Sequence, residues 1–402
     1  MRVLRYNINN YVYFFACASR QNGEFMKKEY KVGLLGFGAM GKTHAYAISA
    51  LPYYYPNLPF DVKIAGVCTR SQEKSDSVCK QYGIPFGVTD EDVLINSDDI
   101  DIIDICTPNC CHAETLRKAI AAGKAIYCEK PLCTTYEDAV QIAELAKKAG
   151  VSASMVFNNR FFVAVMKAKE IVESGVIGKP VSFHAAFLHS SVTDPNKPAG
   201  WKQDKDICGG GVLFDLGSHV IDMVTYLCGD VRSVYGKSQI LFPVRRGRDG
   251  NEWKTNADEA FFMLCTMASG AVGTIDISKL TVGTNDDFTF EYYGTDGAIK
   301  FNMMEPEWLY YFDARESDAP LGGEKGWKRI ETIGHYPAPG GTFPNGRSPV
   351  GWLRGHIESM YNFLHRFHEE LPQSPSLEDG AYVQKILDAA YRSDETGMPV
   401  NL

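Results

Sequence analysis

The stretch Gly209-Gly210-Gly211-Val212-Leu213-Phe214-Asp215-Leu216-Gly217-Ser218-His219-Val220-Ile221-Asp222 carries the densest chemistry in this 402-residue chain. A triple glycine lets the backbone bend and approach a ligand, because no Cβ stands in the way. The residues after the glycines read as a helix, and Asp215, His219 and Asp222 recur at i, i+4 and i+7 on one face. A carboxylate and an imidazole one turn apart suit proton transfer. Taken alone, the pattern equally describes an ordinary helix start, with Asp215 complementing the dipole and His219 on the surface. The remaining motifs separate these readings.

Residues 30–35 are a short apolar run ending in Gly36-Phe37-Gly38-Ala39-Met40-Gly41, and a helical pattern begins at once over 42–48. Strand, GxGxxG and helix in that order form a dinucleotide site. The first glycine makes the turn, the second admits the pyrophosphate, and the third lets helix pack on strand. An acid reading the ribose is expected about 20 residues on, but Asp61 sits at the wrong end of the second strand, 62–68, after an inserted loop at 52–59. The strand's far end carries Thr69, Arg70 and Ser71, which favour a 2′-phosphate and so NADP over NAD.

Strand and helix patterns then alternate: helix 71–82, strand 102–106, helix 111–122, strand 125–128, helix 136–149 and strand 151–156. This predicts a doubly wound parallel sheet. Ligands of such sheets bind beyond the carboxyl ends of the strands. Two turns fall there, Thr107-Pro108-Asn109 with His112 one turn on, and Glu129-Lys130-Pro131. Beside a cationic nicotinamide the Lys130 ammonium would lose protons more easily and could polarise a substrate oxygen. The structural alternative is a plain polar turn.

From 181 the period becomes that of strands, at 181–187, 231–241, 259–267, 271–280, 287–293 and 298–301, which predicts a mostly antiparallel sheet. The segment 189–208 holds prolines, Trp201 and charges with little period, and reads as a substrate lid. Helical patterns return at 353–370 and 377–392.

With 45% apolar and 22% charged residues the composition is that of a globular protein, and 402 residues suggest two domains. A formal net charge of −8 argues against a nucleic-acid partner, and the absence of an apolar run of about 18 residues against a membrane span. Eleven scattered cysteines without a CxxC pair suggest a reducing, cytoplasmic setting and no metal; Cys106, Cys110 and Cys111 fit no zinc spacing. The residues before Met26 read as an extension or mis-assigned start, with a short secretory signal as the alternative.

With GFGAMG, the CTPN turn, CEKPL and GGGVLFDLGSHVID together, the chain resembles the Gfo/Idh/MocA oxidoreductases, relatives of glucose–fructose oxidoreductase and inositol dehydrogenase. The resemblance runs from about Tyr30 to the C-terminus. It implies a Rossmann domain (29–155) and an α/β domain (156–375) whose open, mostly antiparallel sheet covers the nicotinamide and often forms a dimer or tetramer contact. A preceding extension (1–28) and a C-terminal helix and tail (376–402) packing back on the first domain complete the expected division. Lys130, Asp215 and His219 fall on the family's catalytic positions. Asn158, Asn159 and Arg160 fall where cofactor and substrate are faced, and Trp201 near the active site.

The expected activity is hydride transfer between NAD or NADP and a secondary hydroxyl of a sugar, cyclitol or glycoside. A glycoside 3-dehydrogenase that retains its cofactor is a narrower version. A non-catalytic nucleotide sensor and an NAD-assisted glycoside hydrolase stand as alternatives from other classes.

Overall fold

Continuous apolar runs in the first half become strands buried on both faces. The computed structural model describes residues 27–247, 250–341 and 343–402, so the reading of the extension before Met26 lies outside the described residues. The elements of the first half are β1 (Lys28–Leu35), α1 (Ala39–Tyr54), β2 (Phe60–Cys68), α2 (Gln72–Tyr82), β3 (Phe86–Val88), α3 (Asp92–Ile95), β4 (Ile102–Ile105), α4 (Asn109–Ala121), β5 (Ala125–Cys128), α5 (Tyr136–Ala149) and β6 (Ala153–Met155). All strand pairs are parallel, in the order β3-β2-β1-β4-β5-β6. Helix ends carry local signals: Ser71 and Thr135 accept from backbone N–H groups three residues on, at 3.3 and 3.2 Å.

A short turn, Asn158–Phe161, leads into α6 (Val163–Glu173) and the second sheet. Its strands are β7 (Pro180–Leu188), β8 (Val231–Gln239), β11 (Ala260–Met267), β12 (Val272–Ser278), β13 (Asp287–Gly294), β14 (Gly297–Asn302), β15 (Trp308–Asp313), β16 (Lys328–Glu331) and β17 (Val400–Asn401). A separate hairpin pairs β9 (Val244–Arg246) with β10 (Glu252–Lys254). The nine strands run β16-β15-β14-β13-β7-β12-β11-β8-β17, antiparallel except for β7 beside β12. Helices α6, α8 (Ser218–Cys228) and α10 (Leu377–Thr396) pack against it, while α9 (Gly351–His368) lies on α1. The fold class is thus α/β with a parallel Rossmann sheet and a mixed, largely antiparallel second sheet, as the sequence predicts.

One apolar core runs through both halves, joining Leu35, Ile103 and Ile126 to Phe183, Ile275 and Phe288. The tail divides its contacts: α10 lies between α5 and β8, and β17 pairs with β8 rather than with the first sheet. The stretch Lys205–Cys228 is long and apolar enough to cross a bilayer, but 78% of its most apolar window is buried inside the protein.

The segment 189–208 is a pinned strap with two short helical turns, Trp201–Gln203 and α7 (Lys205–Cys208). Arg245 donates to the carbonyls of Val192 and Asp194 at 2.7 and 2.9 Å, and Ala199 N–H donates to Arg246 at 2.7 Å.

Candidate active site

The glycine turn sits between β1 and α1. Gly36 has φ +90°, and a Cβ there would meet the Cys106 carbonyl at 2.5 Å; one on Gly38 would meet open space. The first turn of α1, beginning with Ala39 and Met40, has neither a side-chain cap nor an acidic residue, so its N–H groups are open to an anion. These features fit a dinucleotide pyrophosphate. Phe37 packs instead on Tyr82, ring centres 4.9 Å apart. At the end of β2 the Thr69 hydroxyl bonds Ser75 at 2.9 Å and Ser71 O at 3.1 Å, while Arg70 is exposed.

Beyond β4, Pro108 precedes α4 and the Thr107 hydroxyl is buried with no partner. Asn109 donates to the Cys208 carbonyl at 2.8 Å, tying the Rossmann edge to the strap. His112 spans the carbonyls of Pro131 and Thr107 at 2.9 and 3.0 Å. The buried imidazole therefore lies between the two turns with both nitrogens facing protein carbonyls, and donates to one of them. Arg160 is committed in the same way. It grips Asp222 of α8 at 2.5–3.1 Å and Asp379 of α10 at 3.3 Å, with its guanidinium 4.6 Å from the Tyr226 ring centre. Expected to face the cofactor, Arg160 instead bridges three elements, with the buried Asp222 as its main partner. Asn158 is buried and donates to Asn159 at 3.1 Å.

The expected helix over 212–222 departs from the α-form. A π-turn, Leu213–Gly217, precedes α8. Its entrance is fixed by Asp258, which accepts from the N–H groups of Gly211 and Leu213 at 2.9 and 3.0 Å. A Cβ on Gly211 would meet the Asp258 backbone at 2.2 Å, so close approach demands glycine there. Single π-turns concentrate at functional sites.

This turn brings Lys130 and Asp215 together. The Lys130 ammonium donates to the Asp215 carbonyl at 2.5 Å and lies 3.3 Å from its Oδ1. Two further lysines meet the same carboxylate: Lys202 at 2.8 Å from both oxygens and Lys279, just past β12, at 2.7 Å from Oδ2. Neither is expected from sequence, where Lys202 lies in the aperiodic segment 189–208 and Lys279 at the end of the strand pattern 271–280. Burial pushes the Asp215 carboxyl upward, but Lys279, Lys130 and Lys202 together hold it well below the usual carboxylate range. Burial lowers the Lys130 ammonium, and Lys202 adds to that against the pull of Asp215. His219 stands on α8, its Nδ1 buried and unpartnered, and burial with the Lys130 charge pushes it down to about 3. Trp201, 39% exposed, lies beside Lys202, whose ammonium is 5.6 Å from its ring centre.

Behind Lys130 lies a buried polar chain. His44 bonds Asp104 at 2.8 Å through Nδ1 and Glu129 at 3.2 Å through Nε2. The other Glu129 oxygen accepts from the Lys130 backbone N–H at 3.1 Å. Burial opposes a charged His44, yet Asp104 raises its pKa well above the ordinary value. Glu129 is held down at about 2 against its own burial, by His44 and Lys130. The chain fixes the turn that presents Lys130.

A glycine turn with an open helix start, and an ammonium, a carboxylate and an imidazole grouped near it, define a nucleotide-dependent oxidoreductase in form. Comparison with known proteins agrees. Residues 30–157 match the oxidoreductase family with an NAD-binding Rossmann fold, and residues 165–300 the GFO/IDH/MocA C-terminal domain. The chain belongs to the Gfo/Idh/MocA family of NAD-binding oxidoreductases. It is 32% identical over 379 residues to levoglucosan dehydrogenase of Pseudarthrobacter phenanthrenivorans, covering 90% of this chain and 95% of that one. To myo-inositol 2-dehydrogenase of Thermotoga maritima it is 28% identical, covering 77% and 91%. A solved levoglucosan dehydrogenase in complex with NADH superposes with a TM-score of 0.89 at 31% identity, over 93% of this chain and 99% of that one. The chain is thus an enzyme of a family whose relatives are sugar and cyclitol dehydrogenases.

Proposed function

We propose that this protein oxidises, reversibly, a secondary hydroxyl of a sugar, cyclitol or glycoside, with NAD as cofactor. The observation that carries this reading is the meeting of Lys130 and Asp215, 85 residues apart in sequence, at the carboxyl edge of a sheet with an open glycine turn. The glycine turn and the open first turn of α1 would hold the dinucleotide, whose nicotinamide, when bound, would supply the acceptor for the hydride that leaves the carbinol carbon as its C–O bond becomes C=O. His219, unprotonated, takes the hydroxyl proton. Lys130 donates a hydrogen bond to the same oxygen and steadies the alkoxide as it forms. Asp215 holds the Lys130 ammonium in place. Purified protein with NAD and a panel of levoglucosan, myo-inositol, glucose and xylose should yield reduced nicotinamide. Cofactor released by denaturing the protein should be read in parallel, since a retained cofactor would mask turnover. No reduction in either measurement would contradict the reading.

The relative's NADH complex favours NAD. The exposed Arg70 also gives the site a purchase on a 2′-phosphate. Arg70→Ala is therefore expected to lower the kcat/KM ratio of NADP to NAD by about tenfold, the loss of one charge-assisted contact. An unchanged ratio would remove Arg70 from cofactor selection.

The partner we infer besides substrate is a second copy. On the outer face of the nine-stranded sheet Tyr235, Phe262, Leu264 and Val272 are 41–48% exposed, with Leu264 in register opposite Tyr235. Such an apolar patch marks an interaction surface. A homodimer or homotetramer through this face should dissociate in Leu264→Glu, because an isologous contact brings the carboxylates together. Light scattering reading the same mass for both proteins would exclude this face. The ten cysteines among the described residues are free, which suits a reducing compartment such as the cytoplasm.

A further inference from the structure

We propose that Lys202 and Lys279 are positioning residues that clamp the Asp215 carboxylate, one from the strap and one from the end of β12, and so leave the Lys130 ammonium free to face substrate. The inference rests on the reading of Lys130 and Asp215 as the catalytic pair.

The hydrogen-bond inventory carries it. A carboxylate offers about four acceptor positions. Lys202 reaches both oxygens at 2.8 Å, Lys279 takes Oδ2 at 2.7 Å, and Lys130 has only a long 3.3 Å approach to Oδ1. Asp215 therefore has no acceptor left over for a substrate hydroxyl, and it acts through Lys130. An ammonium has three donors. Lys130 directs one to the Asp215 carbonyl at 2.5 Å and a weaker one to Oδ1, which leaves a third for the reacting oxygen.

The charges agree with the geometry. Three ammonium groups share one carboxylate, so Lys130 is not drawn fully onto Asp215 as it would be in a simple pair. Lys130 is faced by Asp215 from the π-turn, Lys202 from the strap, Glu129 from its own turn and His219 from α8; Lys279 reaches it through Asp215. Removing Lys202 deletes a positive neighbour and opens two acceptor positions. Lys130 would then settle onto the carboxylate and hold its proton more firmly.

Lys202 is the residue to change, because its side chain is 44% exposed and its loss buries no new charge. Lys202→Met is expected to lower kcat about tenfold, the order of a small misplacement of a catalytic group, with KM changing by less than about threefold. The basic limb of kcat/KM should move to higher pH, and Lys202→Arg should restore both. A readout independent of turnover is pH-dependent reductive methylation of Lys130, followed by mass spectrometry; its midpoint should rise in Lys202→Met. An unshifted midpoint, or a loss confined to KM with an unmoved limb, would overturn the clamp. If the wild-type protein reduces no nicotinamide with any polyol, the dehydrogenase reading falls, while the methylation midpoint still decides the clamp.

Discussion

Lys130→Met is expected to lower kcat/KM for polyol oxidation by about three orders of magnitude while leaving the affinity for NADH in place. The size follows from removing the one charge aimed at the developing alkoxide in a site shielded from water. The substitution should be clean in the fold. Asp215 keeps Lys202 and Lys279 at 2.8 and 2.7 Å, so no buried carboxylate is left unpaired, which is the usual source of collapse when an ion pair is cut. Equal falls in kcat and kcat/KM would mark an interaction made in the transition state; a rise in KM alone would mark simple binding. Fluorescence titration with NADH and stopped-flow turnover separate the two. Retained activity would remove Lys130 from the chemistry.

The second large effect concerns His219. His219→Asn should cost about 10²–10⁴-fold in kcat, the range for loss of a positioned proton acceptor. Stability should hardly change, since the buried Nδ1 has no partner to lose. The pH dependence has a definite sign. Burial and Lys130 hold the imidazole at about 3, so His219 is neutral throughout pH 5–7 and kcat/KM should show no histidine limb there. An unperturbed histidine base would instead lose activity tenfold per unit below about pH 6.5. In Lys130→Met the second cause is gone, so any residual activity should acquire an acid limb at higher pH than in the parent. A wild-type profile falling from pH 7 downward with a single histidine-like pKa would contradict this environment for His219.

Much of the scaffold could be read from sequence because parallel strands buried on both faces are continuous apolar runs. Those runs end at glycine or at polar turns such as Thr107-Pro108-Asn109. The grouping of Lys130 with Asp215 was legible only as motifs that each pointed toward a sheet edge or a helix face. Their contact depends on how two sheets meet. The π-turn was not legible: the i, i+4 spacing of Asp215 and His219 predicts a regular helix, and the departure is imposed by Asp258, 47 residues from Gly211. Arg160 is placed by the family resemblance, and His112 by its position along the strand edge. Their partners, Asp222 at 62 residues and the Pro131 carbonyl at 19, decide their work instead. Lys202 sits in a segment without period and Lys279 at the very end of a strand pattern, places where a lysine signals a solvated surface until its partner is known. Strand β15 was within reach, since Trp308-Leu309-Tyr310-Tyr311-Phe312 is an aromatic run of high strand preference. The short strands β9, β10 and β16 draw their definition from neighbours they pair with, which sequence does not name.

The most direct measurement tracks the hydride itself. A sugar or cyclitol that the enzyme turns over, carrying deuterium on the carbinol carbon, is incubated with the protein, and the nicotinamide is recovered after denaturation for mass spectrometry. One deuterium is expected on the reduced cofactor, with a ketone in the product and slower turnover than with the protiated substrate. Product formed with the deuterium still on its carbon, or none on the nicotinamide, would contradict hydride transfer.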